Sequence, residues 1–134
     1  MIPSMNDILS TTLEVKKQPS KNYKMHIDQK IISGFCDDLE TMRQVIYKIL
    51  NTERYQHIIY SWNYGIETVD LFGEPVTYVC PELQRRITEA LIQDDRIESV
   101  DNFEFDTSAK GTVKATFTVH TIFGNVESEK AVNY

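Results

Sequence analysis

The sequence lacks both a long apolar run and a cluster of basic residues. No window approaches the roughly 18 apolar residues that a membrane-spanning helix requires. The 134 residues carry 14 Lys and Arg against 20 Asp and Glu, which gives a formal net charge of −6. A phosphate-binding surface needs clustered Lys and Arg, so no nucleic acid is expected as the main partner. We expect no membrane partner either, and we expect the chain to be made and kept in the cytoplasm, or assembled there.

Recognisable metal and cofactor motifs are also missing. Cys36 and Cys80 do not form the CxxC pair of a zinc or redox site, and both are expected to be reduced because cytosolic disulfides are unusual. His26, His57 and His120 lack the i, i+4 spacing of a zinc-binding helix. The five glycines form neither a phosphate loop nor a GxGxxG turn. The sequence therefore predicts no metal and no cofactor.

The composition that remains fits one small domain. Apolar residues make up 41% of the chain and charged residues 25%, which is ordinary for a globular protein. The length is sufficient for one hydrophobic core. Residues 1–21 mix polar residues with scattered apolar ones and are predicted to be an extended arm. Residues 22–125 are predicted to form the domain, and residues 126–134 a C-terminal tail or one short strand.

Residue periodicity predicts a hairpin followed by two helices. Residues 22–35 alternate apolar and polar positions around a turn, which is typical of a β-hairpin. Residues 37–51 repeat apolar residues at helical spacing after a capping aspartate. A second helix is predicted over residues 78–93, with Pro81 in its first turn, where no amide donor is needed.

The C-terminal part predicts two strands that pair as an antiparallel hairpin. These strands cover residues 94–106 and 112–121, and Val100 is out of phase, which indicates a bulge or a two-sided strand. The second strand alternates strictly and has Lys114 as its only charged residue, so its edge is not obviously guarded and can accept partner strands. The predicted fold is therefore a small single α+β domain with an N-terminal hairpin, two helices and a C-terminal antiparallel hairpin.

The stretch NTERYQHIIYSWNYG is unusually aromatic. In an extended segment, Ile58, Tyr60, Trp62 and Tyr64 would share one face. We expect Ile58, Tyr60 and Trp62 to pack partly on the domain. We expect Tyr55 and Tyr64 to contact a partner, because tyrosine anchors protein interfaces well.

Two polar triplets follow the two predicted helices. They are Thr52-Glu53-Arg54 and Asp94-Asp95-Arg96. An arginine at such a chain reversal can hold carbonyl groups or a carboxylate in a fixed fork. The sequence leaves two alternatives open: a clamp inside the domain, or a contact across an interface.

Carboxylates also leave room for an enzymatic alternative. A cell-wall glycoside hydrolase needs two carboxyl groups roughly 5 to 9.5 Å apart. Sequence spacing does not establish such a pair, and acidic residues beside arginines are more often ion-paired structural groups. The candidates would be Glu53, Asp94, Asp95 and Glu104.

Four segments resemble the XkdS-like proteins of contractile prophage tails and, more distantly, the baseplate protein W family. The segments are TERYQHIIYSWNYG, LFGEP, ELQRRITEALIQDDRIESVDNFEF and TFTVHTIFG. Glu53-Arg54 match a Gly-Glu-Arg triplet of the W-like proteins, with Thr52 in place of the glycine. Tyr64-Gly65 stand where those proteins have Phe-Gly. Asp94-Asp95-Arg96 stand where they have Glu-Pro-Arg, so the proline is missing.

The resemblance implies a non-enzymatic structural protein in the baseplate of a phage or tail-like particle. Six copies would surround the tail tube, dock on the baseplate wedge proteins and accept extended arms of the tail sheath protein by strand addition. The implied wedge-binding residues are Glu53, Arg54, Tyr55, Tyr64, Asp94, Asp95 and Arg96. The implied sheath-binding strand presents Val113, Ala115, Phe117, Val119 and Thr121.

Overall fold

A computed structural model describes residues 19–134, so the predicted arm at residues 1–21 lies outside the described residues except for its last three positions. The domain has two helices, a two-stranded sheet and a three-stranded sheet, which confirms the predicted α+β class. In chain order the elements are β1 (Asn22–His26), β2 (Ile31–Cys36), α1 (Asp38–Leu50), a 3-10 turn (Val69–Leu71), α2 (Val76–Ile92), β3 (Ile97–Asp106), β4 (Thr112–Thr121) and β5 (Gly124–Asn133).

The Gln44 side chain helps to attach the N-terminal hairpin to the first helix. β1 and β2 pair antiparallel with a bulge between Tyr23 and Met25. The Gln44 amide of α1 donates to the Tyr23 carbonyl at 2.7 Å, and its oxygen accepts from the Met25 amide at 2.9 Å. Gln44 thus pairs with the edge of β1 as a peptide group of a neighbouring strand would.

The first helix begins as predicted and the second begins earlier. Asp37 caps α1 by accepting from the Asp38 amide at 2.8 Å. α2 starts at Val76, directly after Pro75, so Pro81 lies inside the helix and its predicted place in the first turn was wrong. The helix continues through Pro81 because its inner face is fully buried. That face consists of Val79, Leu83, Ile87, Ala90 and Leu91.

The C-terminal sheet has three strands in the order β3-β4-β5, with β4 in the centre. The segment expected to be a tail or one short strand is instead the ten-residue strand β5, which pairs with β4 along its whole length. Only Val126 and Val132 of this strand are fully buried, and this explains why its apolar signal in the sequence is weak. The inner face of the sheet packs with α1 and α2 around one core.

The β3 strand is irregular. Its pairing with β4 shifts between Ile97 and Ser99 and again between Asp101 and Glu104. Asn102 lies in the second shift with a φ of 54°. The bulge indicated by the phase of Val100 is therefore confirmed, and a second one accompanies it.

Candidate functional site

The aromatic stretch forms a turn-rich loop and not an extended segment. Its base is closed by a parallel bridge between Glu53 and Ile66. Ile58 is fully exposed and Trp62 is 76% exposed, so the expected packing of these two side chains on the domain was wrong. Tyr60 stacks on Tyr64, with ring centroids 4.7 Å apart.

Arg54 ties this loop to the second helix. Its guanidinium donates to both carboxylate oxygens of Glu89, at 2.9 and 3.2 Å, and to the carbonyl oxygen of Gly65 at 3.1 Å. The residue is only 9% exposed. Of the two alternatives left open by the sequence, Arg54 adopts the clamp inside the domain.

Glu53 fixes the far end of the same loop. Its carboxylate accepts from the Thr68 amide at 2.8 Å, the Thr68 hydroxyl at 2.7 Å and the Val69 amide at 3.1 Å. These bonds cap the 3-10 turn, because its N-cap residue, Thr68, makes no capping hydrogen bond with its own side chain.

Arg96 and Asp94 form a second clamp, between α2 and β3. Arg96 Nε and Nη2 donate to the two carboxylate oxygens of Asp94 at 2.9 and 2.7 Å, and the Arg96 amide adds a bond of 3.0 Å. Both side chains are less than 10% exposed. Burial alone would raise the pKa of Asp94, but the hydrogen bonds from Arg96 outweigh it, and the pKa lies below its usual value. Asp95, between them, is exposed.

A polar cleft of about 380 Å³ brings part of the predicted site together. Tyr64, Asp94 and Arg96 line it, and so does Gly65, whose carbonyl is held by Arg54. Burial in this cleft raises the pKa of the Tyr64 hydroxyl. Tyr55 is exposed at the surface, with a φ of 69°. The cleft and the loop therefore form one continuous surface at the ends of the two helices.

A third buried arginine was missed by the sequence analysis. Arg86 is 8% exposed and donates to the carboxylates of Asp70 and Glu82 and to the Glu67 carbonyl. The i, i+4 spacing of Glu82 and Arg86 was visible in the sequence, but the partner in the 3-10 turn was not.

The predicted sheath-binding side chains are part of the core. β4 is hydrogen-bonded to β3 on one side and to β5 on the other, so it has no free edge for another strand. The expectation that β4 presents these residues to a partner is therefore wrong, because the third strand β5 covers the edge that a two-strand hairpin would have left open. The five buried residues are Val113, Ala115, Phe117, Val119 and Thr121.

The sequence profile of the contractile injection system sheath initiator family matches residues 15–124. The chain belongs to this family. It is also 35% identical over 119 residues to the phage-like element PBSX protein XkdS of Bacillus subtilis (strain 168), across 86% of this chain and 84% of that protein. The resemblance to XkdS-like proteins is thus confirmed.

Sheath initiators are structural components of contractile tails, and membership gives this chain a structural role in a contractile tail. The family implies interaction with the tail sheath and with baseplate components. In the part of the chain that the structure describes, no helix is long and apolar enough to cross a membrane. Among residues 19–134, no group of three or more His, Cys, Asp or Glu side chains is placed to hold a metal ion.

Proposed function

We propose that this sheath initiator docks on the baseplate wedge through its aromatic loop and starts the sheath by accepting an extended arm of the first sheath subunit at the outer edge of β5. As the resemblance implies, six copies would surround the tail tube. The observation that carries the proposal is the contrast between the two outer edges of the three-stranded sheet.

The outer edge of β5 is regular, and no described strand pairs with it. The Ile122 amide donates to the Arg96 carbonyl. The backbone N–H and C=O groups of even-numbered residues of β4 therefore point to β3, and those of odd-numbered residues point to β5. The Tyr134 amide donates to the carbonyl of Gly111, just before β4, so the backbone groups of even-numbered residues of β5 point to β4. The amides of residues 125, 127, 129, 131 and 133 therefore point outward, and no backbone hydrogen bond from another described element reaches them.

The outer edge of β3 is protected. Two bulges interrupt it, and bulges are a device by which proteins prevent pairing at an edge. Charge does not distinguish the two edges, because β3 and β5 both carry exposed acidic residues. A partner strand would need a straight run of backbone groups, which β5 offers over ten residues without a register shift and β3 does not.

Replacing Glu129 by proline is expected to weaken binding of the sheath subunit at least tenfold while the fold is kept. Proline removes an amide that points away from β4, so the β4–β5 ladder survives, as for prolines on natural edge strands. Glu129→Ala is the matched control, because both changes also remove the 2.8 Å ion pair with Lys114. Binding to purified sheath subunits and the circular dichroism spectrum would be measured, and equal binding by the two variants would contradict strand addition at β5.

The docking proposal rests on a patch of exposed apolar side chains in the aromatic loop. This loop patch consists of Tyr55, Ile58, Ile59 and Trp62, all of which are exposed. Exposed apolar clusters of this kind commonly mark protein interaction sites. Clamped by Glu53 and Arg54, the loop is presented in one conformation, which lowers the entropy lost on binding. The polar cleft with Asp94 and Arg96 would form the rim of the contact.

A Tyr55→Ala, Trp62→Ala double variant is expected to bind wedge proteins at least tenfold more weakly, with its free energy of unfolding within about 0.5 kcal/mol of the parent, as is usual for exposed positions. Val69→Ala, an exposed apolar position outside the patch, is the control. Isothermal titration against a purified wedge complex would measure the affinity. Unchanged wedge affinity in the double variant would argue against this docking surface.

We propose that the role is non-enzymatic. The carboxylate of Glu53 accepts three hydrogen bonds from Thr68 and Val69, and that of Asp94 is paired with Arg96. A general acid or nucleophile must be free to reach its substrate, and these two carboxylates are committed to holding the loop and the clamp. This arrangement favours the structural function over the glycoside hydrolase alternative.

A further inference from the structure

A groove runs beside the free edge of β5, on the same side as the core. It has a volume of about 380 Å³ and lies between β1, α1 and β5. Its lining is mainly apolar and includes Met25, Ile27, Tyr47, Leu50 and Val126. The volume lies at the lower end of the range for ligand pockets, so it suits a few side chains and not a whole folded element.

The groove lies where inward side chains of a strand added to β5 would point. Even-numbered side chains of β5, among them Val126 and Ser128, point to the inner face of the sheet. A strand added at the outer edge would lie about 4.8 Å from β5, and its inward side chains would continue the same face. That face ends at α1, where Tyr47 and Leu50 line the groove. Inward side chains of the new strand would therefore enter it.

We propose that this groove makes binding of the sheath arm sequence-specific, because it accepts two aliphatic side chains of the added strand at positions i and i+2. The inference rests on the proposed strand addition at β5. The groove borders residues 126–129, a span of about 13 Å at 3.3 Å per residue, and such a span faces two inward side chains. The Lys24–Glu40 ion pair lies at the rim of the groove. Glu127 and Glu129 are exposed on the opposite face of β5, so the arm residue between the two aliphatic ones would be polar.

The test fills the groove without touching the edge. Ser128→Trp places an indole in the groove, and Ser128→Ala is its matched control. Tyr47→Lys, on the exposed side of α1, introduces a charge into the same groove with little risk to the fold, and Tyr47→Phe is its control. Binding of the purified sheath subunit to each full-length variant would be measured, beside Glu129→Pro. We expect at least tenfold weaker binding for Ser128→Trp and Tyr47→Lys, and unchanged binding for both controls.

The outcomes separate this inference from the proposed function. If Glu129→Pro loses binding but Ser128→Trp and Tyr47→Lys retain it, strand addition stands and the groove proposal is overturned. If all three variants bind normally, both fail. The remaining occupant is the chain's own N-terminal segment, tested by Leu13→Asp in the full-length chain. A lower free energy of unfolding in that variant, with sheath binding unchanged in Ser128→Trp and Tyr47→Lys, would assign the groove to this segment and overturn its assignment to the sheath arm, whereas unchanged stability supports the sheath arm.

Discussion

Replacing Gly65 by alanine is expected to lower the free energy of unfolding by about 3 kcal/mol. Gly65 has a φ of 92°, and a left-handed conformation costs an L-residue about 1–2 kcal/mol. A methyl group there would also lie 2.5 Å from the Thr52 carbonyl oxygen and 3.3 Å from the Arg54 amide nitrogen, both backbone atoms that move only with the chain. The base of the loop would open, and Arg54 would lose its bond to Gly65. Urea denaturation followed by circular dichroism measures the loss.

Gly73 supplies the control for this prediction. Its φ of 87° is similar, but a methyl group there would meet nothing within 4 Å. Gly73→Ala should therefore show the conformational cost alone, about 1–2 kcal/mol. Equal losses in the two variants would mean that close packing at the base of the loop contributes nothing, and the explanation of Gly65 would be wrong.

Removing the Arg96 side chain is expected to cost about 3 kcal/mol of stability. Arg96→Ala leaves the carboxylate of Asp94 buried without its partner, and breaking a buried pair typically costs about 3–5 kcal/mol. A residue used only for a partner contact would instead leave the stability unchanged. The same denaturation measurement therefore decides between the two roles that the sequence left open for this arginine.

An Asp94→Leu, Arg96→Met double variant and a pH series complete the test. Replacing both partners by apolar residues of similar size removes the unpaired charge, so the double variant should be more stable than Arg96→Ala. The pKa of Asp94 is lowered in the folded chain, so its pairing stabilises the fold above the unfolded pKa of about 4 and is lost as the pH falls through the folded value. The difference in free energy of unfolding between the wild type and Arg96→Ala should therefore decrease in acid. A difference that is constant from pH 7 to pH 3 would contradict the pairing.

The regular elements follow from periodicity, and the irregular ones do not. β4 alternates five core residues with polar ones, and α1 has a capping aspartate and one apolar face, so each local pattern agrees with the final fold. The strand β5 has only two fully buried apolar residues, Val126 and Val132, and polar residues conceal its period. It is held by pairing along the whole length of β4, the preceding strand, and backbone pairing leaves no period in the residue types.

The composition of the candidate site is visible in the sequence, but its arrangement is not. The sequence singles out the two triplets, yet it does not show that Arg54 reaches Glu89, 35 residues away, or that Glu53 caps the turn at Thr68. The aromatic loop was misjudged because aromatic residues usually indicate burial, and here polar clamps hold the loop so that Trp62 can remain outside. The role of β4 was misjudged because an open edge depends on a neighbouring strand and not on the strand itself.

The unequal edges of the three-stranded sheet also limit how copies of this chain can associate. Endless growth of a β-ribbon requires two competent edges on every subunit, so that each copy can pair on both sides. Here the bulged β3 leaves only β5 competent. Two copies can pair edge to edge through β5, and the complex then has no further open edge. The fold therefore keeps one regular, unpaired strand edge without the risk of forming fibres through this sheet.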